Sequence, residues 1–178
     1  MFDTVPAFSR IYTFTDKEGV VHFSNIPNDH RFRPIGKAWP SGARSSVPEY
    51  YFDTHINDAA RLYQIDPLLI KAVIKRESNF DRYARSSKGA LGLMQLMPAT
   101  AHDMNVTDSF DPRENIFGGT RYLKWLSQMF SGDLELILAS YNAGPEKVKR
   151  IRTVPDITET RLYVRAVLNY YNSYKMSL

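Results

Sequence analysis

The 178-residue chain contains no cysteine, which excludes disulfide frameworks, thiolate metal sites and cysteine nucleophiles together. Long apolar runs are missing as well. The longest mostly apolar stretches, Pro67 to Ile74 and Leu134 to Ala139, fall far short of the roughly 20 residues a membrane-spanning helix needs, so no transmembrane segment is expected. Histidine is sparse, and His22, His30, His55 and His102 lie at no spacing that suits a metal; neither metal nor cofactor is expected. Nor is there a large excess of charge of one sign, since 23 basic residues stand against 19 acidic for a net charge of +4. Lys147, Lys149, Arg150 and Arg152 form the only basic cluster, which reads as the end of a solvated helix. The basic face with interleaved aromatics that a nucleic-acid binder concentrates is lacking, and no nucleic-acid partner is expected. Met1-Phe2-Asp3-Thr4 offers neither a basic n-region nor an apolar h-region, so a secretion leader is expected to be absent from this chain.

What is present, at 43% apolar and 24% charged residues, describes one ordinary globular domain with a small appendage. The appendage comes first. Ile11 to Thr15 and Val20 to Ser24 flank the turn Asp16-Lys17-Glu18-Gly19 and predict a β-hairpin module over residues 1–26. Pro27, Pro34, Pro40 and Pro48, with Ser41, Gly42, Ser45 and Ser46, then punctuate residues 27–48 without periodicity, the texture of an extended linker. From residue 49 to 178 the pattern is helical. Helices are predicted from about Tyr51 to Tyr63, from Pro67 with Asp66 as its cap, and over Pro98 to Met104, Asn115 to Phe130, Asp133 to Tyr141, Pro145 to Ile151 and Thr158 to Tyr174.

Within the Pro67 helix, Ile70, Val73, Ile74 and Glu77 fall on one stripe, so the Glu77 carboxylate shares a face with apolar residues. Facing a core or cleft, it would be driven toward its neutral form, which a general acid working near neutral pH requires. The alternative is a helix-end glutamate paired at the surface with Arg76, Lys75 or Arg82. Three further blocks follow. Glu77-Ser78-Asn79-Phe80 leads through a polar loop to Gly89-Ala90-Leu91-Gly92-Leu93-Met94-Gln95-Leu96-Met97-Pro98; then come Ser140-Tyr141-Asn142-Ala143-Gly144-Pro145 and Glu159-Thr160-Arg161-Leu162-Tyr163-Val164. Leu91, Leu93, Met94 and Leu96 read as core, while Gln95, an amide between apolar neighbours, needs hydrogen-bond partners that a sugar hydroxyl or N-acetyl group could supply. Asn142 to Pro145 reads as a helix stop and restart, and Asp81 as a loop former.

In their order, these blocks resemble the motifs of the family 1 lytic transglycosylases of the soluble-lytic-transglycosylase type, over roughly Tyr51 to Tyr174. The resemblance implies a mainly α, lysozyme-like helical domain, here preceded by the short β-hairpin segment. It also implies Glu77 as the catalytic acid, with Ser86, Gln95 and Met97 lining a glycan groove, Tyr141 near Glu77 and helping to set its protonation with Asn142 adjoining, and Glu159 and Tyr163 on the far wall. The substrate so implied is the peptidoglycan glycan strand, cut between N-acetylmuramic acid and N-acetylglucosamine. Glu77 would protonate the glycosidic oxygen and then, as base, take the proton of the C6 hydroxyl as it attacks C1, leaving a 1,6-anhydro end. Two other readings stand beside this one. A hydrolase on the same fold would use Asp81, Asp103 or Glu159 to position water, and a noncatalytic protein would keep the groove only to bind glycan. The resemblance further implies a periplasmic or envelope location. Tyr12 to Asn25 is similar to a small uncharacterised envelope-protein module, which suggests an envelope protein as the hairpin's partner.

Overall fold

Aspartate and proline start most of the helices, and the reason is local. In a computed structural model of the protein, which describes residues 12–24, 33–34 and 48–177, Asp66, Asp111 and Asp133 each occupy an N-cap. Their side chains accept the backbone N–H of Leu68 at 2.9 Å, Glu114 at 2.8 Å and Leu136 at 3.1 Å. Each bond satisfies a donor that the first helical turn leaves unpaired. Pro67, Pro98, Pro112 and Pro145 fill first-turn positions, where a missing N–H is harmless.

The chain divides into two compact units, residues 1–44 and 45–178. In the first, β1 (Tyr12–Thr15) pairs antiparallel with β2 (Val21–Ser24), with Phe14 opposite His22. Asp16 organises the turn, its carboxylate accepting the N–H of Glu18 and Val20 while it meets His22 Nε2 at 2.6 Å. The Phe14 and His22 rings stack 4.6 Å apart. Sequence predicted an extended linker throughout residues 27–48, and this needs correcting at one point: Arg33–Pro34 forms a two-residue strand, β3, on the other edge of β1. Proline is tolerated there because an edge strand can leave one ladder position without a donor. The rest of the expected linker up to residue 47 lies outside the described residues.

The second unit opens with a 3₁₀ turn, Glu49–Phe52, and continues as α1 (Asp53–Tyr63), α2 (Pro67–Ser78), α3 (Pro98–Asp103), α4 (Pro112–Met129), α5 (Leu134–Ala143), α6 (Pro145–Ile151) and α7 (Thr158–Met176). Helix α4 starts three residues before the predicted Asn115, because Asp111 caps it and Pro112 supplies its first turn. Helix α5 runs past Tyr141 to Ala143, and Gly144, at φ +89°, makes the break.

Helix α2 is the core element. Ile70, Ala72, Val73 and Ile74 are fully buried, and α2 packs against α7 and α1, while α5 packs on α7 and α4. Each buried Ile or Leu contributes roughly 1.5–3 kcal/mol. This packing fixes where the last turn of α2 ends, and therefore where Glu77 lies.

Candidate active site

Glu77 is the penultimate residue of α2, held at that depth by the buried turn of Val73 and Ile74 below it. Tyr163, on α7 and 1% exposed, donates its hydroxyl to Glu77 Oε1 at 2.7 Å. Arg76 lies over that ring, 5.5 Å from its centroid. Burial pushes the Glu77 carboxyl up to about 7, against the smaller opposing pulls of the Tyr163 hydrogen bond and the Arg76 charge. Of the surface partners considered for Glu77, Lys75 bonds Glu49 and Arg82 donates to the carbonyl of Phe110, which leaves Arg76 as the one whose charge acts on it.

Tyr141, near the end of α5, donates its hydroxyl to the carbonyl of Met94 at 2.9 Å. Burial raises its pKa well above the ordinary phenol value, and the charges of Glu77 and Tyr122 raise it further. Tyr163 is raised likewise, first by burial and then by Glu77. Both phenols therefore remain O–H donors. The direct bond to Glu77 comes from Tyr163, while Tyr141 is tied to the loop that carries Gln95.

That loop, residues 79–97, is built around a tight hairpin in which Leu91 bridges both Arg85 and Leu96. Gln95 sits at φ +49°, and its NH₂ donates to the carbonyls of Gly92 at 2.8 Å and Ala84 at 3.1 Å. Its donors are thus used within the protein, so the group it can offer a sugar is its carbonyl oxygen. Met97, the α3 N-cap, is 44% exposed, whereas Leu93, Met94 and Leu96 are buried and Leu91 is half-buried. Ser86 is exposed and its Oγ accepts the N–H of Ala90 at 2.9 Å.

Asn142 accepts a hydrogen bond from Thr160 Oγ1 at 2.9 Å, which joins the end of α5 to the start of α7. Glu159, also in the first turn of α7, is exposed and pairs with Lys88 at 3.0 Å. Of the other carboxylates considered as water-positioning partners, Asp81 accepts the N–H of Tyr83, and Asp103 is exposed beside His102. Among the described residues, no carboxylate acts on Glu77, and no cluster of acidic and histidine side chains suits a metal.

Sequence reasoning passed over Asn115. This amide is 1% exposed on α4; its Oδ1 accepts the N–H of Met94 at 2.7 Å, and its Nδ2 donates to the carbonyls of Leu91 and Ser109. It fixes the loop from beneath, helped by two glycines. Gly92, at φ +80°, has room for no Cβ beside Ser109 and Asn115, and a Cβ on Gly119 would lie 2.4 Å from Met94 Sδ. A signal was available, since Asn115 lies on the same α4 face as Ile116, Gly119 and Leu123.

Residues 54–163 match the family model described as the transglycosylase SLT domain. The chain belongs to the transglycosylase SLT family. The SLT match falls inside the helical unit and ends at Tyr163. A protein named transglycosylase from Enterobacteria phage PRD1 is 40% identical over 89 residues, 50% of this chain and 33% of that protein. Membrane-bound lytic murein transglycosylase F of Desulfosudis oleivorans is 45% identical over 96 residues, 50% of this chain and 21% of that protein. Among solved structures, an inactive glutamate-to-glutamine variant of lytic transglycosylase Slt from Pseudomonas aeruginosa superposes with a TM-score of 0.63 at 32% identity, covering 70% of this SLT chain and 24% of that one. The 70 kDa soluble lytic transglycosylase of Escherichia coli gives 0.57 at 31%, covering 67% and 24%. This chain therefore spans a third or less of these relatives.

Proposed function

We propose that this protein is a peptidoglycan lytic transglycosylase in which Glu77 serves first as acid and then as base. One observation carries the reading: the Glu77 carboxyl is raised by burial to about 7, held by Tyr163, and acted on by no second carboxylate. A carboxyl near pH 7 in its affinity for protons can both give and take one at neutral pH. Glu77 protonates the glycosidic oxygen between N-acetylmuramic acid and N-acetylglucosamine as the bond to C1 breaks. The resulting carboxylate, stabilised by the Tyr163 hydroxyl and by Arg76, then takes the proton of the C6 hydroxyl as that oxygen bonds to C1. No water is consumed. Internal attack suits a site with one carboxyl, because a well-placed internal group has an effective molarity on the order of 10⁵ M or more.

Ser86, Gln95, Met97, Asn142 and Glu159 are assigned to the groove that orients the strand, and Tyr141 to holding the Gln95 loop against the acid. A hydrolase would place a second carboxylate to activate water, whereas Asp81 accepts the N–H of Tyr83, Glu159 pairs with Lys88 and Asp103 is exposed beside His102. The names of the relatives, lytic murein transglycosylases, support the same substrate and an envelope location. No helix among the described residues is long and apolar enough to cross a membrane. The hairpin unit is assigned to contact with an envelope protein.

The test is mass spectrometry of soluble products from purified peptidoglycan, with Glu77→Gln as control. Products ending in 1,6-anhydro-N-acetylmuramic acid, absent with the variant, are expected. Reducing ends heavier by one water would make the protein a hydrolase instead.

A further inference from the structure

A row of aromatic rings leads from the site along α4 to the surface. Tyr141, whose hydroxyl bonds the Gln95 loop, packs against Tyr122 with ring centroids 5.3 Å apart. Tyr122 in turn stacks on Trp125, 5.8 Å away and within 16° of parallel. Tyr122 and Trp125 are three residues apart on one helix, so they are neighbours on its face. Exposure rises along the row: Tyr122 is half-buried, and Trp125 is 41% exposed. The indole N–H donates to no described protein atom, and the flanking Lys124 and Gln128 are polar. A single exposed ring is ordinary by itself; what marks Trp125 is its ring-to-ring continuity with Tyr141 at the site, which offers a flat aromatic surface to a ligand that extends from there.

The occupant is set by that continuity. A β-1,4-linked aminosugar ring carries its substituents around its rim and so presents flat faces of C–H bonds. Such a face, weakly positive, complements the negative face of an indole, while the indole N–H can donate to a ring hydroxyl or N-acetyl oxygen. A polymer cut at Glu77 must extend beyond the scissile bond, whereas an apolar protein partner would need a wider apolar patch than one ring edged by polar side chains.

We propose that Trp125, backed by Tyr122, is a stacking platform for a sugar ring of the bound glycan strand, removed from the bond cleaved at Glu77. It is a specificity element, selecting long strands over short ones. The inference rests on the proposed glycan substrate, but its test does not rest on cleavage.

The experiment is calorimetric titration of the Glu77→Gln protein with peptide-free strands of alternating N-acetylglucosamine and N-acetylmuramic acid, four and ten sugars long. Adding Trp125→Ala is expected to weaken binding of the ten-sugar strand about tenfold and to shrink the preference for long over short strands. Trp125→Phe, which keeps a flat ring, is expected to restore most of that preference. Unchanged affinity of the ten-sugar strand in the Trp125→Ala protein overturns the platform, and so does an equal loss with both strand lengths. Product analysis of the wild-type protein separates the two proposals. Absent cleavage with a preserved Trp125 effect removes the enzymatic reading and leaves the platform; 1,6-anhydro products with no Trp125 effect do the reverse.

Discussion

Glu77 is a carboxyl whose surroundings oppose its charge, and this has consequences for both activity and stability. Its raised pKa means that the folded protein holds the Glu77 proton more tightly than the unfolded chain does. Stability from this group is therefore fully present below about pH 4.5, falls as pH rises toward 7, and levels off above that. The difference amounts to about 3 kcal/mol. Glu77→Gln, which carries no charge to bury, is expected to be more stable than wild type by up to that amount at pH 8 and nearly equal to it at pH 4, as urea unfolding at the two pH values would show. For catalysis the acid must start protonated, so kcat/KM is expected to decline above about pH 7, tenfold per unit. Tyr163→Phe removes a hydrogen bond that favours the carboxylate, so it should move this alkaline limb to higher pH. A pH profile unchanged by Tyr163→Phe would mean that the hydroxyl does not act on the acid. The place of Glu77 on one stripe with Ile70, Val73 and Ile74 was legible, but the stripe left a surface pairing open, and the residue is half-buried. Which tyrosine holds it was not legible, because Tyr163 lies 86 residues further along and only the packing of α7 on α2 brings the two together.

At the scale of elements, the contact of α4 with the Gln95 loop is the most demanding. Asn115 supplies the acceptor for the buried Met94 N–H, a donor for the Ser109 carbonyl, and a second donor for the Leu91 carbonyl, which already takes the Leu96 N–H. Asn115→Ala is expected to destabilise the protein by about 3 kcal/mol, and to lower kcat through the loosened loop. Gly119→Ala forces a methyl group into Met94 Sδ, and a loss of about 2 kcal/mol is expected from the overpacking. Thermal or denaturant melting checks both. Element boundaries were mostly readable, because Asp-Pro pairs and Gly144 mark them chemically. The start of α4 was misplaced because Arg113 and Glu114 carry no apolar periodicity, which begins only at Ile116, although the cap lies at Asp111. The strand at Arg33–Pro34 was missed since two residues, one of them proline, carry no strand pattern and exist only through pairing with β1.

At the scale of the whole molecule, the buried cluster of the second unit draws on residues from Phe52 to Val167, all within residues 45–178. A chain of residues 45–178 alone is therefore expected to unfold cooperatively and to keep the product pattern of the full protein. A broad or absent melting transition for that fragment would show that it depends on the first 44 residues.

The sequence by itself determined what is local: the helices, through apolar spacing and aspartate caps; the hairpin, through its Asp-to-Gly turn; and the presence of a glutamate on an apolar stripe. Tertiary structure alone decided the properties that depend on distance between remote residues. These are the burial that lifts Glu77 to about 7, the choice of Tyr163 as its partner, the use of the Gln95 amide within its own loop, and the aromatic row from Tyr141 to Trp125. Desolvation and ring contact are properties of surfaces brought together by folding, and no spacing along the chain encodes them directly.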